Sequence, residues 1–555
     1  MTTSRVLTKS QAGLIVICLC FLLMRAPVMY RQPGGQDEDQ YAIPGLTILE
    51  GGIPRLPHVP ARNQESVFFH ADEALFSQPP LYFYYQALFY SALPPVYGTA
   101  RIASAIAGVM SIWLVYRLTF KASGSTAAAL WAAGLLSVSR WYYFSATFAR
   151  PDILCAAFGF ASILGVLEWS RTGGTRRLVL SGLCLGLGGL THPFAIVSAV
   201  QVGVWVFVAS RGWRKFANFG LVLCTALLVF CAWLPLILKY PDVFETQIRN
   251  QFGGAATESI LTRLFLPASS LSYHARVMWQ HAGAQQFLLA LGGLVGVTWL
   301  AVRSRDQGAR TICWLGWSSI LLMSIAVGTH HQVIGYWVYP AGFMFAALGM
   351  GLEAAIGWLA GPATVPPGPS GHDASHSDGD SHIAEPTSVS NRSMRPALAR
   401  TAVGLAAIAL LAPGSGVRAL VAHLQHWRDV NYDAPRFARV LISQLPADSV
   451  YAVDTQFALD FLAAGRRTLM ANDLPQYMLI HEFDYDWLIA SRHALDTGLP
   501  TRLNVQLHSQ SGIAADRFAC YAEVYRSTRI VDAQLQDQAD ATGGPAGYVS
   551  AVGVH

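Results

Sequence analysis

The chain has 555 residues, of which 53% are hydrophobic and only 13% are charged, and its formal net charge is +5. A soluble globular protein carries about 25% charged residues, so this composition excludes an ordinary soluble domain and indicates an integral membrane protein. The small positive charge gives no signature of nucleic-acid binding.

Eleven stretches are long and apolar enough to predict membrane helices, each of which needs about 20 residues. They lie near 12–30, 98–119, 126–146, 148–169, 178–191, 194–210, 216–237, 285–302, 311–328, 333–360 and 399–421. The first predicts an uncleaved span, because no small-residue cleavage site follows it. The aromatic run LYFYYQALFY predicts an interfacial helix. The fold class is therefore mainly α, a polytopic membrane helical bundle.

Basic residues set the expected orientation of the spans. They cluster before the first span and in alternate loops, at Arg5, Lys9, Lys121, Arg171, Arg176, Arg177, Arg211, Arg214, Lys215, Arg303, Arg305 and Arg310. Such loops are typical of the cytoplasmic side. We therefore expect a multi-pass protein of the inner membrane, with a cytoplasmic N-terminus and an extracytoplasmic C-terminal region.

Composition divides the chain further. A Pro-, Gly- and Ser-rich stretch cannot bury a core, and alternating strand-like segments after the last span predict a small extracytoplasmic α/β domain. The predicted divisions are a transmembrane domain (1–360) with an outer loop (31–97), a disordered cytoplasmic linker (361–398), the last membrane helix (399–424), the α/β domain (425–530) and a loose tail (531–555).

The polar stretch 36–81 is the main functional candidate, because a long loop between spans usually has a function. It opens with Asp37 and Glu38 just after the first span. The expected orientation brings further polar groups to the same outer face, and charged groups near a membrane usually line a cavity. These groups are Arg150, Asp152, His192, Tyr273, His274, Arg276, His330, His331, Tyr336, Trp337 and Tyr339.

Each candidate also has a structural interpretation. Asp37 and Glu38 fit an N-cap and first turn of a helix as well as they fit catalysis. Arg150 and Asp152 fit a structural ion pair at a helix start. An Asp general base combined with cations on an anionic leaving group suits glycosyl or phosphoryl transfer. The spacing of the residues does not choose between these two reactions.

Several motifs together resemble the GT-C membrane glycosyltransferases, in particular the branch of protein mannosyltransferases and lipid A aminoarabinose transferases. They are the acidic pair followed by Tyr41-Ala42, the turn Gly52-Ile53-Pro54, the box Gln78-Pro79-Pro80-Leu81, Arg101 opening the second span, the sequence RPD at 150–152, and YWVYP at 336–340. The resemblance covers residues 12 to 350. It implies an enzyme that moves a sugar from a polyprenyl-phosphate carrier to an acceptor at the outer membrane face.

The resemblance also implies roles for individual residues. Asp37 matches the outer-loop residue that acts as general base on the acceptor or helps to hold a metal that does so. Glu38 is the adjacent motif position, and Asp152 matches the second outer carboxylate, which would orient the acceptor or a cation. Arg150, Gln78, Arg276 and His192 are expected to contact the donor phosphate, and a single displacement would invert the sugar carbon. The expected substrate cavity contains Tyr41, Arg101, His330, His331, Tyr336 and Tyr339.

Gln78 departs from the family pattern, which has Lys at the first position of the box. An amide carries no charge, so another cation must neutralise the phosphate, with Arg150 expected first and Arg276 or His192 next. The sequence permits a divalent cation and does not require one. Expected partners are membrane lipids, the lipid-linked donor and an acceptor lipid, glycan or protein.

Two other functions remain open at this point. A transporter or flippase of a lipid-linked glycan would carry its charges near the bilayer midplane, whereas these charges gather at one outer face. A non-catalytic relative with a binding domain is the third option, and Gln78 keeps it open. The sequence does not identify the sugar or the acceptor.

Overall fold

The computed structural model describes residues 8–35, 37–253, 260–329, 333–359 and 394–528. The predicted residues His330 and His331, most of the predicted linker and all of the predicted tail lie outside these ranges. The described part of the chain is mainly helical, which confirms the predicted fold class.

The first eleven helices vary in length from 6 to 27 residues. In chain order these are α1 (Lys9–Arg31), α2 (Glu38–Gly51), α3 (Leu81–Tyr90), α4 (Tyr97–Ser123), α5 (Thr126–Ser137), α6 (Arg140–Thr147), α7 (Asp152–Thr172), α8 (Thr175–Gly189), α9 (Ala195–Ala209), α10 (Arg214–Phe230) and α11 (Leu234–Lys239).

The remaining helices are α12 to α23, and the last four of them are short and belong to the sheet region. They are α12 (Pro241–Gly253), α13 (Ile260–Phe265), α14 (Pro267–His281), α15 (Ala284–Arg303), α16 (Gln307–Ala326), α17 (Val338–Leu359), α18 (Met394–Leu411), α19 (Val417–Gln425), α20 (Ala434–Ser443), α21 (Ala458–Ala463), α22 (Arg492–Asp496) and α23 (Leu499–Arg502). Helix α18 begins at Met394, so it takes in the last residues of the predicted linker.

Seven helices of the described residues are long and apolar enough to cross a membrane, or eight if the bent pair α18 and α19 is one span. Every one of the eleven predicted spans contains a helix, but three fall short of this criterion. The predicted span 126–146 is interrupted, because the Ser139 side chain accepts a hydrogen bond from the Tyr142 amide and starts α6. Helices α8 and α9 have only 15 residues each. The chain is a multi-pass membrane protein.

The C-terminal region holds a five-stranded mixed sheet of order β2-β1-β5-β7-β6. The strands of the region are β1 (Val450–Val453), β2 (Arg467–Met470), β3 (Asp473–Leu474), β4 (Met478–Leu479), β5 (Trp487–Ala490), β6 (Gln506–Gly512) and β7 (Tyr521–Arg526). Strand β1 is parallel to β2 and β5, and β7 is antiparallel to β5 and β6. Helix α20 lies in DAPRFARVLISQL, whose spacing predicts a helix, and strands β1, β5 and β7 lie in SVYAVD, DYDWLIAS and CYAEVYR, which the sequence predicts as strands.

This sheet region contacts the segments on both sides of α2 and the start of α4. The Tyr97 hydroxyl, at the start of α4, donates to the carbonyl of Thr455 at 2.5 Å. The backbone amide of Gly34 donates to the carbonyl of Gln456 at 3.1 Å, and that of Met470 donates to the carbonyl of His58 at 2.7 Å. These contacts fix the position of the α2 N-terminus between the membrane helices and the sheet.

Candidate active site

Asp37 occupies the N-cap position of α2, but its side chain makes no capping hydrogen bond. The carboxylate is 38% exposed and lies 3.6 Å from Nη1 of Arg150. A capping residue should accept a bond from the amide of the second or third helical residue. The geometry therefore gives no support to the capping interpretation and leaves this carboxylate accessible beside a cation.

Glu38 has a different environment, because Arg101 holds its carboxylate with two hydrogen bonds of 2.7 and 2.6 Å. The same carboxylate accepts the amides of Ala149 at 2.6 Å and Gly35 at 2.7 Å. Both charged side chains are buried. The acid therefore joins three segments, and its oxygens are fully occupied.

Arg101 completes this clamp with backbone carbonyls at the end of α1. Its Nη1 donates to the carbonyls of Met29 and Gln32, and its Nη2 donates to that of Pro33. All five guanidinium N–H groups thus have acceptors. We expected Arg101 in the substrate cavity and Glu38 in catalysis, but their geometry instead supports a structural role for both.

Asp39 forms a second buried pair, which sequence reasoning missed. Its Oδ2 lies 3.1 Å from Nε2 of His58, and both side chains are fully buried. Burial raises the pKa of the Asp39 carboxyl, and the bond to His58 acts against this rise. The pair fixes the irregular segment after α2 against α2 itself. His58 has no motif around it that could have indicated this contact.

The ARPD turn brings Arg150 and Asp152 together at the start of α7. Nε of Arg150 donates to Oδ2 of Asp152 at 2.8 Å, and both side chains are buried. Ser104 holds the turn, because its hydroxyl accepts the Arg150 amide at 3.0 Å and donates to the Arg150 carbonyl at 3.1 Å. Nη2 of Arg150 is buried without a hydrogen-bond acceptor in the described part of the chain. That nitrogen is suited to an anionic ligand.

His192 approaches the same pair from the turn between α8 and α9. Its Nε2 lies 3.7 Å from Oδ1 of Asp152. Burial lowers the pKa of His192 to about 4, although Asp152 acts in the opposite direction. The imidazole is therefore neutral near pH 7, so it can offer a hydrogen bond but no charge to a phosphate.

Aromatic rings enclose the guanidinium of Arg150. Its central carbon lies 5.3 Å from the ring centre of Tyr41, 5.5 Å from Phe144 and 5.8 Å from Tyr336. Gly335 packs close to the ion pair, since a Cβ added there would lie 3.1 Å from Nε of Arg150. The predicted residues Tyr41 and Tyr336 thus form the walls of the cluster.

Two cavities meet this cluster from different sides. The first is small, with a volume of about 20 Å³, and is lined by Asp152, Cys155, His192, Phe194, Tyr336 and Tyr339. The second has a volume of about 290 Å³ and lies between Asp37 and Gln40 on one side and the sheet region on the other, with Asn472, Tyr477, His493 and Arg502 among its lining. Asp37 and Asp152 line different cavities, and Arg150 contacts both carboxylates.

A separate apolar groove has a volume of about 200 Å³. Its lining includes Trp141, His274, Met278, Trp317, Trp337 and Met344. Trp337 follows Tyr336 directly in the chain, but the groove and the first cavity share no lining residue. Such a surface suits a hydrocarbon chain.

The remaining predicted residues Tyr339, Gln78 and Arg276 lie in three different places. Tyr339 is buried and donates its hydroxyl to Oε1 of Gln201 at 2.7 Å. Oε1 of Gln78 is buried without a donor in the described residues. Three residues further on, the amide of Leu81 donates to the carbonyl of Leu190, two residues before His192. Arg276 is exposed on α14, and no contact found among the described residues joins it to Arg150 or Asp152.

A metal site is not evident from side-chain grouping. The described residues contain no group of three or more His, Cys, Asp and Glu side chains placed to hold an ion. Asp37 and Asp152 are separated by the guanidinium of Arg150, which already supplies positive charge between them.

Comparison with known proteins gives a family match over part of the chain. The family described as dolichyl-phosphate-mannose-protein mannosyltransferase matches residues 77–238. An undecaprenyl phosphate-alpha-4-amino-4-deoxy-L-arabinose arabinosyl transferase from Enterobacter sp. (strain 638) is 23% identical over 243 residues. That match covers 42% of this chain and 42% of the relative.

Solved structures share the whole architecture. ArnT from Cupriavidus metallidurans bound to undecaprenyl phosphate has a TM-score of 0.57 and 16% identity, with 92% of this chain and 97% of that chain covered. The oligosaccharyltransferase AglB from Archaeoglobus fulgidus, in complex with an inhibitory peptide and a dolichol-phosphate, has a TM-score of 0.51 and 14% identity, with 93% and 74% covered. The chain has the GT-C fold, and the predicted resemblance is confirmed.

Proposed function

We propose that this chain is an integral membrane glycosyltransferase that moves a sugar from a polyprenyl-phosphate carrier to an acceptor hydroxyl or phosphate. The observation that carries the proposal is the Arg150 cluster. An accessible carboxylate, Asp37, and a buried one, Asp152, share one enclosed guanidinium between two cavities. The GT-C fold and the partial match to the arabinosyl transferase support the same reaction class.

In the proposed reaction, Asp37 takes the proton from the acceptor hydroxyl while the hydroxyl oxygen bonds to the anomeric carbon of the sugar. The bond between that carbon and the carrier phosphate breaks, and its electron pair goes to the phosphate oxygen. Polyprenyl phosphate leaves as an anion. A single displacement of this kind inverts the configuration at the sugar carbon. For an acceptor phosphate that is already ionised, Asp37 would orient the nucleophile without removing a proton.

Arg150 is the proposed cation for the carrier phosphate. Its Nη2 is buried without an acceptor, and a preorganised donor aimed at developing negative charge is an effective catalytic device. Its Nε is held by Asp152, so the guanidinium is fixed before substrate arrives. This arrangement supplies the charge that Gln78 lacks. His192 and Gln78 would add uncharged hydrogen bonds.

The apolar groove beside Trp337 is the proposed site for the isoprenoid chain of the donor. The acceptor would enter from the second cavity, where the sheet region faces Asp37. Arg502 and His493 line that cavity and suit an acceptor that carries anionic groups. The proposed setting is the cytoplasmic membrane, with this cavity and the sheet region on the extracytoplasmic side.

The experiment uses membranes from cells that express the full chain, supplied with a labelled sugar on undecaprenyl phosphate. We expect time-dependent release of undecaprenyl phosphate and transfer of label to a new lipid or glycan, which profiling would then identify. Movement of intact labelled donor across the membrane without cleavage would instead indicate a flippase and contradict the proposal. Absence of cleavage with every sugar donor tested would favour a non-catalytic relative.

A further inference from the structure

A separate polar cavity lies at the opposite end of the membrane bundle. It has a volume of about 520 Å³ and is lined by Lys121, Arg171, Trp205, Asp306, Gln307 and Thr311, among others. These residues lie at the C-terminal ends of α4, α7 and α9 and at the start of α16. Helix α7 runs from Asp152 to Thr172, and 21 residues of α-helix span about 30 Å. The cavity is therefore distant from the candidate active site.

The charge around this cavity is positive and incompletely balanced. Glu168 is one carboxylate with three cationic neighbours, Arg117 at 3.8 Å, Lys121 at 3.4 Å and Arg177 in closer contact. Arg171 bonds the carbonyl of Lys121 at 2.8 Å. No carboxylate of the described residues forms an ion pair with Arg171. The lining itself holds two cations, Lys121 and Arg171, and one carboxylate, Asp306, so it carries a net positive charge.

One uncharged side chain adds a hydrogen-bond donor, and one helix N-terminus adds partial positive charge. Nε1 of Trp205 is buried without an acceptor within the ranges that the structure describes. Helix α16 begins at Gln307, and Asp306 caps it by accepting the Gly308 amide at 2.9 Å. A Cβ on Gly308 would lie 1.9 Å from the carbonyl oxygen of Ala122. This glycine therefore allows the α16 N-terminus, with its partial positive charge, to pack against the end of α4.

We propose that this cavity binds the phosphate headgroup of an anionic phospholipid, independently of the proposed sugar transfer. Lys121 and Arg171 would neutralise the phosphate, and the Trp205 indole would donate a hydrogen bond to it. The position at the ends of membrane helices places a bound headgroup at the level of the lipid headgroups, where basic pockets between helices recognise acidic lipids. Leu167 and Ala209 give the cavity an apolar edge that suits the start of an acyl chain.

The test uses the purified full chain in a neutral detergent and follows thermal unfolding during titration with phosphatidylglycerol. We expect a saturable rise in Tm with phosphatidylglycerol, and no comparable rise with phosphatidylcholine or with glycerol 3-phosphate at equal concentration. The double variant Lys121→Gln, Arg171→Gln should lose most of this rise. Native mass spectrometry should show one retained phosphatidylglycerol fewer on the double variant than on the wild type.

Trp205→Phe is the milder variant, because it keeps an aromatic ring next to Trp314, whose ring centre lies 5.6 Å from that of Trp205, and removes the N–H donor together with the five-membered part of the indole. It should bind phosphatidylglycerol about three- to tenfold more weakly, as expected for loss of one hydrogen bond. This variant keeps the proposal testable if the double variant does not fold. An unchanged affinity of Trp205→Phe would contradict the assignment of this indole to the headgroup.

The matched control removes two charges outside the cavity, with Arg214→Gln and Lys215→Gln. These residues begin α10 on the same predicted face and do not line the cavity. The control should keep the wild-type lipid response. An equal loss in the control would show a general surface-charge effect and overturn the site. An equal, saturable response to glycerol 3-phosphate would overturn the choice of a lipid as the ligand.

Discussion

Nη1 of Arg150 lies 3.6 Å from the carboxylate of Asp37, across a guanidinium whose Nε already bonds Asp152. The two carboxylates come from segments more than a hundred residues apart, and each lines a different cavity. One fixed cation therefore stands between an exposed acid and a buried acid. The proposed separation of roles follows from this, with Asp37 acting on the acceptor and Asp152 holding Arg150.

Replacement of Arg150 should weaken binding of the carrier phosphate. We expect Arg150→Gln to bind undecaprenyl phosphate about 100-fold more weakly, since truncating a buried charged partner costs about 2–5 kcal/mol. The measurement is equilibrium binding of fluorescent undecaprenyl phosphate to purified protein. Arg150→Lys should recover only part of the affinity, because it keeps the charge and loses the planar fork.

Arg276→Gln is the matched control for that experiment. The sequence also predicts Arg276 as a phosphate ligand, but this arginine is exposed on α14. Its variant should bind undecaprenyl phosphate as the wild type does. A larger loss for Arg276→Gln than for Arg150→Gln would reverse our assignment of the phosphate-binding cation.

Glu38→Gln should act on stability rather than on chemistry. The Glu38 carboxylate bonds Arg101 and two backbone amides while buried, and breaking a buried ion pair costs about 3–5 kcal/mol. We expect a large drop in Tm and in the yield of monodisperse protein. Glu50→Gln, at the exposed end of α2 where Glu50 pairs with Arg55, should change stability by less than about 1 kcal/mol. A stable but inactive Glu38→Gln would instead indicate a direct catalytic role.

His192 should make stability depend on pH. Its pKa is lowered to about 4 in the folded protein by burial, against about 6.5 in the unfolded chain. The unfolded state therefore binds more protons between these values, so this contribution to stability is complete above pH 6.5 and is lost as the pH falls towards 4. His192→Gln should remove this component from a series of Tm values against pH. If the difference in Tm between the wild type and His192→Gln stays constant from pH 7 to pH 4, the lowered pKa of His192 is contradicted.

Much of the fold could be predicted from the sequence, because apolar length and strand alternation are local properties. The helices of the bundle, the aromatic helix α3 and strands β1, β5 and β7 all follow from such patterns. Strand β2 was missed because its sequence RTLM begins with an exposed arginine and contains only two apolar residues. Strand β6 was missed because its sequence QLHSQSG is polar and mostly exposed. The stretch 126–146 has the composition of one apolar span, but the structure divides it at Ser139. The Ser139 side chain caps a new helix, α6, and one such cap has no clear signal in the sequence.

The candidate site was predicted less completely, because its contacts join distant segments. The RPD sequence indicated Arg150 and Asp152 as neighbours, and the structure adds Asp37 to them. The acidic pair did not reveal that Glu38 pairs with Arg101, since adjacent residues at a helix start point in different directions. His58 stands in a loop without periodicity, so its bond to Asp39 had no sequence signal. Burial decides the charge of His192, and burial depends on the tertiary packing of α8, α9 and α17.

The most direct test of the account is the rate of undecaprenyl phosphate release from a lipid-linked sugar donor by Asp37→Asn. General base catalysis contributes about 10²–10⁴ in rate, so we predict a loss of that size with unchanged Tm and unchanged binding of undecaprenyl phosphate. Asp72→Asn makes the same chemical change in the same loop, where Asp72 pairs with Arg62, and it should release undecaprenyl phosphate at the wild-type rate. Release by Asp37→Asn at the wild-type rate would contradict the assignment of Asp37 as the base.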